Sequence, residues 1–305
     1  MRVKHTTLWV TVISALFATP ARAQDARDPQ AGIESGGASL SNTITNDLES
    51  PADGADKVTN QSNNPITLKT QILVQNFFLP APQGDEGRSE NQFLFRFYQP
   101  FKIFGVDNIF RVYQPVVTDP LLPSGREAGL GDMTIYDLAL HKMKKFTVGA
   151  GPLFVFPVAS HANEGYGKWQ AGGAVVAVTA GGWGLAGTVI TYQHSFARSD
   201  SRPTAELVTV QPLINYNLKQ GFYMRSSGIW YLNFHAPHVS EIPLGFGAGK
   251  VVKSQNGTVM NFYLEPQYSV YQQGKGSPKW QILTGLNVLF SNGQRSRNAG
   301  ISGGL

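Results

Sequence analysis

The chain has 305 residues, a formal charge of +5 and no cysteine. The missing cysteine excludes a lipoprotein anchor, structural disulfides, thiolate metal sites and a thiol nucleophile. A mean hydropathy of −0.15 resembles that of a soluble protein. A membrane barrel, however, places its lipid-facing residues only at every second position, so this average decides nothing.

At the N-terminus, Arg2 and Lys4 precede an apolar run from Leu8 to Phe17, and Ala21-Arg22-Ala23 follows. Small residues at −3 and −1 read as a secretory signal over 1–23, cleaved before Gln24. The run is far short of the roughly 20 residues that a membrane-spanning helix needs, and no later segment reaches that length. Residues 24–66 are rich in Gly, Ser, Asn, Asp and Thr and show no sustained period. Seven acids (Asp25, Asp28, Glu34, Asp47, Glu49, Asp53, Asp56) stand against Arg27 and Lys57, a net −5. Such a stretch buries too little apolar surface to offset its ordering entropy. The expectation is a flexible acidic arm, with a plug in the lumen as the alternative. Setting aside the arm's −5 and the signal's +3 leaves +7 for the rest of the chain.

From Thr67 to Phe290 the chain divides into twelve strand-like segments: 67–79, 90–104, 107–117, 129–141, 145–157, 168–180, 183–196, 204–218, 221–234, 240–252, 257–271 and 278–290. The connectors run 10, 2, 11, 3, 10, 2, 7, 2, 5, 4 and 6 residues, alternately long and short. A transmembrane barrel has that rhythm, because its periplasmic turns are short and its outer loops long. The fold class expected is all-β: an antiparallel up-and-down transmembrane barrel over 67–290, with both ends on the periplasmic side and a polar tail over 291–305. In 257–271, Met260, Phe262, Leu264 and Tyr268 alternate with Asn261, Glu265 and Gln267, as period-2 geometry requires. Aromatic residues recur near strand ends, where the interfacial girdles of a barrel lie. The stretch ending Gly285, Val288 and Phe290 resembles the C-terminal signal read by the barrel-assembly machinery, although fifteen residues follow it.

Charges opposite the apolar faces are the candidate lumen residues: Lys69, Arg96, Lys102, Arg111 and Arg225, against Asp137 and Glu265. Arg or Lys costs about 2–4 kcal/mol on the lipid face at the midplane, and is tolerated inside. Arg225 and Glu265 are plausible partners in an ion pair that would help to close the lumen. Gly245, Gly247 and Gly249 share a strand face and leave room either for a solute or for bulky neighbours. No catalytic set emerges, since His194 and Ser195 are adjacent and point to opposite faces. No metal site or cofactor is expected, His235 and His238 having no Cys or acidic partner in the sequence pattern.

Several segments together resemble a bacterial family of outer-membrane proteins assigned to a phenol-degradation (MetA) pathway, some labelled only as transporters. They are Gly129-Leu130-Gly131-Asp132, GAGPLFVFP at 149–157, GYGKWQAGG at 165–173, QPLINYNLKQGFYM at 211–224, IPLGFGAGKV at 242–251 and the Trp280 strand. The likeness covers most of 90–290 and implies an outer-membrane barrel with a role in uptake of small, often aromatic, compounds. The function expected is passage of small solutes, anionic or aromatic, through a mildly cationic lumen. A closed structural barrel of the envelope is the alternative, and a barrel lipid-modifying enzyme a remote one. Outer-membrane lipid, the assembly machinery and a small solute are the expected partners; nothing points to nucleic acid, and the oligomeric state stays open.

Overall fold

The computed structural model describes residues 54–84, 87–120, 126–162, 164–197, 202–235 and 239–290. The signal segment, the arm up to residue 53 and the tail after Phe290 lie outside them.

Fifteen strand segments form one antiparallel sheet closed into twelve walls. In chain order they are β1 (Gln71–Leu79), β2 (Glu90–Ile103), β3 (Val106–Pro120), β4 (Arg126–Leu130), β5 (Met133–Lys142), β6 (Thr147–Phe156), β7 (Trp169–Gly181) and β8 (Gly184–Ala197). There follow β9 (Glu206–Asn217), β10 (Phe222–Ser226), β11 (Trp230–Asn233), β12 (Ser240–Gly245), β13 (Gly247–Lys253), β14 (Val259–Gln273) and β15 (Trp280–Leu289). Three walls are broken strands: β4 with β5, β10 with β11, and β12 with β13. Closure comes where β15 pairs with β14 on one side and with β1 on the other, from Gln71↔Leu289 to Phe78↔Ile282.

Why these residues make strands is visible in β14. Tyr263, Glu265 and Gln267 point inward and are 6%, 0% and 1% exposed, while Phe262 and Leu264 stand out at 47% and 51%. Phe93, Phe95 and Phe97 on β2 and Ile282 on β15 continue this outer apolar surface. Among the described residues no helix is long and apolar enough to cross a membrane; the strands carry the apolar band.

The short turns collect at one end. The two-residue turn Phe104-Gly105 has φ of +46° and +83°, the mirror-image turn that fits the twist of a tight hairpin. Phe104 is fully exposed there, at the level where aromatic girdles lie.

The interior, whose filling the sequence left open, is heavily occupied by side chains. Ile109, Leu138, Leu153 and Leu185 are 0–1% exposed inside the wall. A second inner cluster gathers Leu79, Tyr223, Val259, Leu283 and Leu289. Where large inner side chains lean over the neighbouring strand, glycine makes room. A Cβ at Gly285 would meet the ring of Tyr263, and one at Gly249 the ring of Tyr223. Gly245 likewise lies under the Glu265 carboxylate. The glycine face of 245–249 therefore serves packing of neighbouring side chains.

One segment of the expected arm is ordered. Gly54–Asn63 forms a helix, α1, against the sequence expectation of no regular structure over 24–66. Its capture rests on tertiary hydrogen bonds, described below, that local composition cannot show.

Gly285→Ala should lower the yield of heat-modifiable folded barrel, because overpacking of this kind costs about 1–3 kcal/mol. Tyr263→Ala in the same chain should restore part of that yield, which gel mobility before and after heating will read.

Candidate functional site in the barrel lumen

The middle of the lumen carries a checkerboard of arginine and tyrosine set by strand register. Arg96 on β2 lies opposite Tyr113 on β3, Tyr98 lies opposite Arg111, and Arg111 lies opposite Tyr136 on β5. The Arg96 guanidinium sits 4.5 Å from the Tyr113 ring centre, and that of Arg111 4.3 Å from the ring of Tyr98. Arg111 Nη1 donates to the hydroxyls of Tyr113 (3.2 Å) and Tyr136 (3.0 Å). Those two hydroxyls are 2.5 Å apart, and Tyr98 and Tyr113 are 3.0 Å apart. Arg96 is 7% and Arg111 1% exposed. Nε of Arg96, and Nε and Nη2 of Arg111, find no acceptor among the described residues. Neither guanidinium has an ion pair there either, so ring faces and hydroxyls are their main stabilisation.

Arg225 is treated differently. Its Nε donates to Glu265 Oε2 at 2.8 Å, and its guanidinium lies 3.8 Å from the Tyr263 ring centre. Glu265 is fully buried and also accepts from Ser227 N (2.7 Å), Ser227 Oγ (2.7 Å) and Gln267 Nε2 (3.0 Å). A carboxylate with four donors is well compensated, and this pair knits β10 to β14 across the wall interior.

Two cavities flank the arginine layer. The larger, about 270 Å³, lies in the half toward the long loops and is lined by Leu94, Arg96, Tyr136, Thr191, Tyr231 and Glu241 among others. The smaller, about 50 Å³, is lined by Arg96, Arg111, Arg225, Tyr98, Asn63 and Asn64 among others. Arg96, Tyr113, Val189 and Gln211 line both.

Toward the short turns the lumen is capped by α1 and the residues after it. Asn60 Nδ2 donates to Gly181 O (2.7 Å) and Asn217 Nδ2 to Asn60 Oδ1 (3.0 Å). Asn261 Nδ2 donates to Asn63 Oδ1 (3.1 Å), and Asn287 Nδ2 to Ser62 O (3.3 Å). Ile66 then packs into the inner apolar cluster.

Of the residues singled out in the sequence, Arg96, Arg111, Arg225 and Glu265 face the lumen. Three differ from expectation. Lys69 precedes β1 in a bend, because the ladder begins at Gln71 and not at 67. Lys102 lies at the short-turn rim, 52% exposed and 3.3 Å from Asp107. Asp137 lies on the outer face: Tyr136 and Leu138 on either side are 2% and 0% exposed inside. The inner residues of β5 here, Tyr136 and Leu138, are themselves an aromatic and an aliphatic side chain, so the apolar face of β5 does not mark the outside. Phe290 and Val288 lie on the outer face, and the N–H of Phe290 donates to Thr70 O at 3.0 Å. The sequence reading missed Tyr98, Tyr113, Tyr136 and Glu241; the register pairing tyrosine with arginine was the signal, and it needs the strands aligned. His194 is exposed, and Ser195 is buried on the other face.

At the long-loop end Asp132 holds the 158–167 loop by accepting from Ala159 N (3.2 Å) and Gly167 N (2.9 Å). Beside it the His161 ring lies between two carboxylates, Nδ1 at 3.1 Å from Glu164 and Nε2 at 3.5 Å from Glu127. These three are the group of His and acids, among the described residues, with donors close enough for a metal ion. With the carboxylates on opposite ring nitrogens, the arrangement suits a protonated imidazole as clamp. The hydrogen bond to Glu164, with Glu127 nearby, holds the His161 pKa above its ordinary value. His235 Nδ1 lies 3.4 Å from Glu206, an acidic neighbour invisible in the sequence; His238 lies outside the described residues.

The fold defines the class, a closed twelve-strand barrel of the outer-membrane kind. A solved outer membrane channel from Pseudomonas putida F1 shares it, with a TM-score of 0.55, 12% identity, and coverage of 75% of this chain and 98% of that one. No protein-family model and no curated protein matches the chain.

Glu265→Gln should destabilise the barrel by about 3–5 kcal/mol, since it leaves Arg225 buried without its counter-charge; urea unfolding in detergent micelles will measure it. The His161 clamp has the opposite sign to a paired carboxylate. Its stabilisation is complete below the unfolded His value, about 6.5, and is lost as pH rises through the raised folded value. A nitroxide at Ala162 should therefore be less mobile at pH 5.5 than at pH 8, and His161→Gln should abolish the difference.

Proposed function

We propose that this chain is an outer-membrane barrel that passes small solutes and favours anions. The observation that carries the reading is the lumen itself, where a cavity of about 270 Å³ opens onto Arg96 and, beyond it, Arg111. Two guanidiniums without an ion pair among the described residues raise the local anion concentration inside a low-dielectric wall. The signal segment over 1–23 and the loop lengths support an outer-membrane location with the long loops outside. The likeness to a channel supports transport and not catalysis, and small aromatic acids are within the range of solutes this lumen would admit.

A closed envelope barrel is the second reading, favoured by the apolar filling and by α1 at the short-turn end. Planar-bilayer recording of the mature chain distinguishes them. The wild type should conduct with anion preference. Asn261→Ala with Asn287→Ala, which loosens α1, should raise the open frequency. Arg96→Gln with Arg111→Gln should move the reversal potential in a salt gradient toward cations, less so in high salt. No conductance from any of these forms would leave the closed barrel.

A further inference from the structure

Arginine keeps its charge at any accessible pH, and a buried charge needs compensation. Arg225 obtains it from Glu265. Arg96 and Arg111 do not obtain it from any acid among the described residues, and three of their nitrogens have no acceptor there. Both line the small cavity of about 50 Å³, where Arg225 stands as the third wall. That volume accommodates a charged head group the size of one or two waters, and not a whole organic molecule. Arg96 and Tyr113 also line the larger cavity, whose walls include Phe77, Leu94 and Leu153. Its lining also includes Glu241, whose Oε2 is buried and has no hydrogen-bond partner among the described residues.

We infer that the two cavities are one binding site for a small organic monocarboxylate, resting on the reading of the lumen as a solute path. The carboxylate occupies the small cavity, where the guanidinium charges of Arg96 and Arg111 offset its own. The apolar body lies in the larger cavity, which at about 270 Å³ is just below the usual size for drug-like ligands. Glu241 in that lining favours a neutral or donor group and repels a second carboxylate. The site thus excludes inorganic phosphate, which leaves the apolar chamber unfilled, and dicarboxylates, which place a charge against Glu241.

Isothermal titration of the full mature chain in detergent at pH 8 tests this with hexanoate, adipate, hexanol and inorganic phosphate. Hexanoate should bind at least tenfold more tightly than each of the other three. Arg96→Gln should abolish hexanoate binding, and Arg96→Lys should weaken it about tenfold while the barrel stays heat-modifiable. Glu241→Gln should bring adipate to within about threefold of hexanoate. Absence of hexanoate binding to the wild type, binding unchanged in Arg96→Gln, or phosphate binding as tightly as hexanoate would each overturn the site. Anion flux in bilayers without hexanoate binding would overturn the site and leave the channel; binding without flux would do the reverse.

Discussion

Inside a bilayer every backbone N–H and C=O must find its partner within the protein, and a β-sheet can meet that demand only by closing on itself. Here closure runs through the β1–β15 ladder, and everything else follows from it. It fixes which residue of each pair faces lipid, and it encloses a volume that side chains or water must occupy. Where a strand breaks, a substitute bond appears. Gly131 N donates to Pro115 O (3.0 Å), Phe246 N to Pro266 O (3.1 Å) and Ser227 N to the Glu265 carboxylate (2.7 Å). The breaks are therefore satisfied positions, and the third ties the wall to a buried charge.

The architecture was legible in the sequence because loop-length parity and period-2 alternation are local properties. Strand 257–271 shows this best: its polar members are the inner residues and its apolar members the outer ones, and β14 is built that way. The failures share one cause. At Asp137 the inner neighbours Tyr136 and Leu138 are as hydrophobic as the outer ones, so amphipathicity loses its sign where the barrel is filled. At Gly54–Asn63 the sequence reads as disordered, and only the hydrogen bonds to Asn217, Asn261 and Asn287 make a helix there worth its entropy. The tyrosines escaped notice because their role depends on which arginine lies across the ladder, and register between strands is not written in either strand alone.

The two treatments of buried arginine in one lumen are informative by contrast. A buried ion pair is weak evidence for stability, since well-packed apolar residues of similar volume often serve as well. That argument applies with more force to Arg96 and Arg111, which carry charge without a carboxylate among the described residues. Their stacking on Tyr113 and Tyr98 returns roughly 0.5–2 kcal/mol each, less than desolvation of a guanidinium costs. Filling this layer with leucine, as in the neighbouring inner cluster, would hold the barrel together more cheaply. A charged layer that lies between two cavities and holds N–H donors unmatched among the described residues is what the proposed anion path would use.

The remaining obstacle along such a path is α1, and its attachment differs in kind from the arginine layer. Four neutral side-chain hydrogen bonds, from or to asparagines, tie it to the wall, Val58 packs on the second inner cluster, and Ile66 just after it packs on the first. At about 0.5–1.5 kcal/mol each, those bonds sum to a few kcal/mol, so an undocked helix lies within thermal reach. The arginine layer, by contrast, is built on the wall strands and cannot leave without opening the ladder. The fixed element would then set which solute is held, and the detachable one would set when it passes.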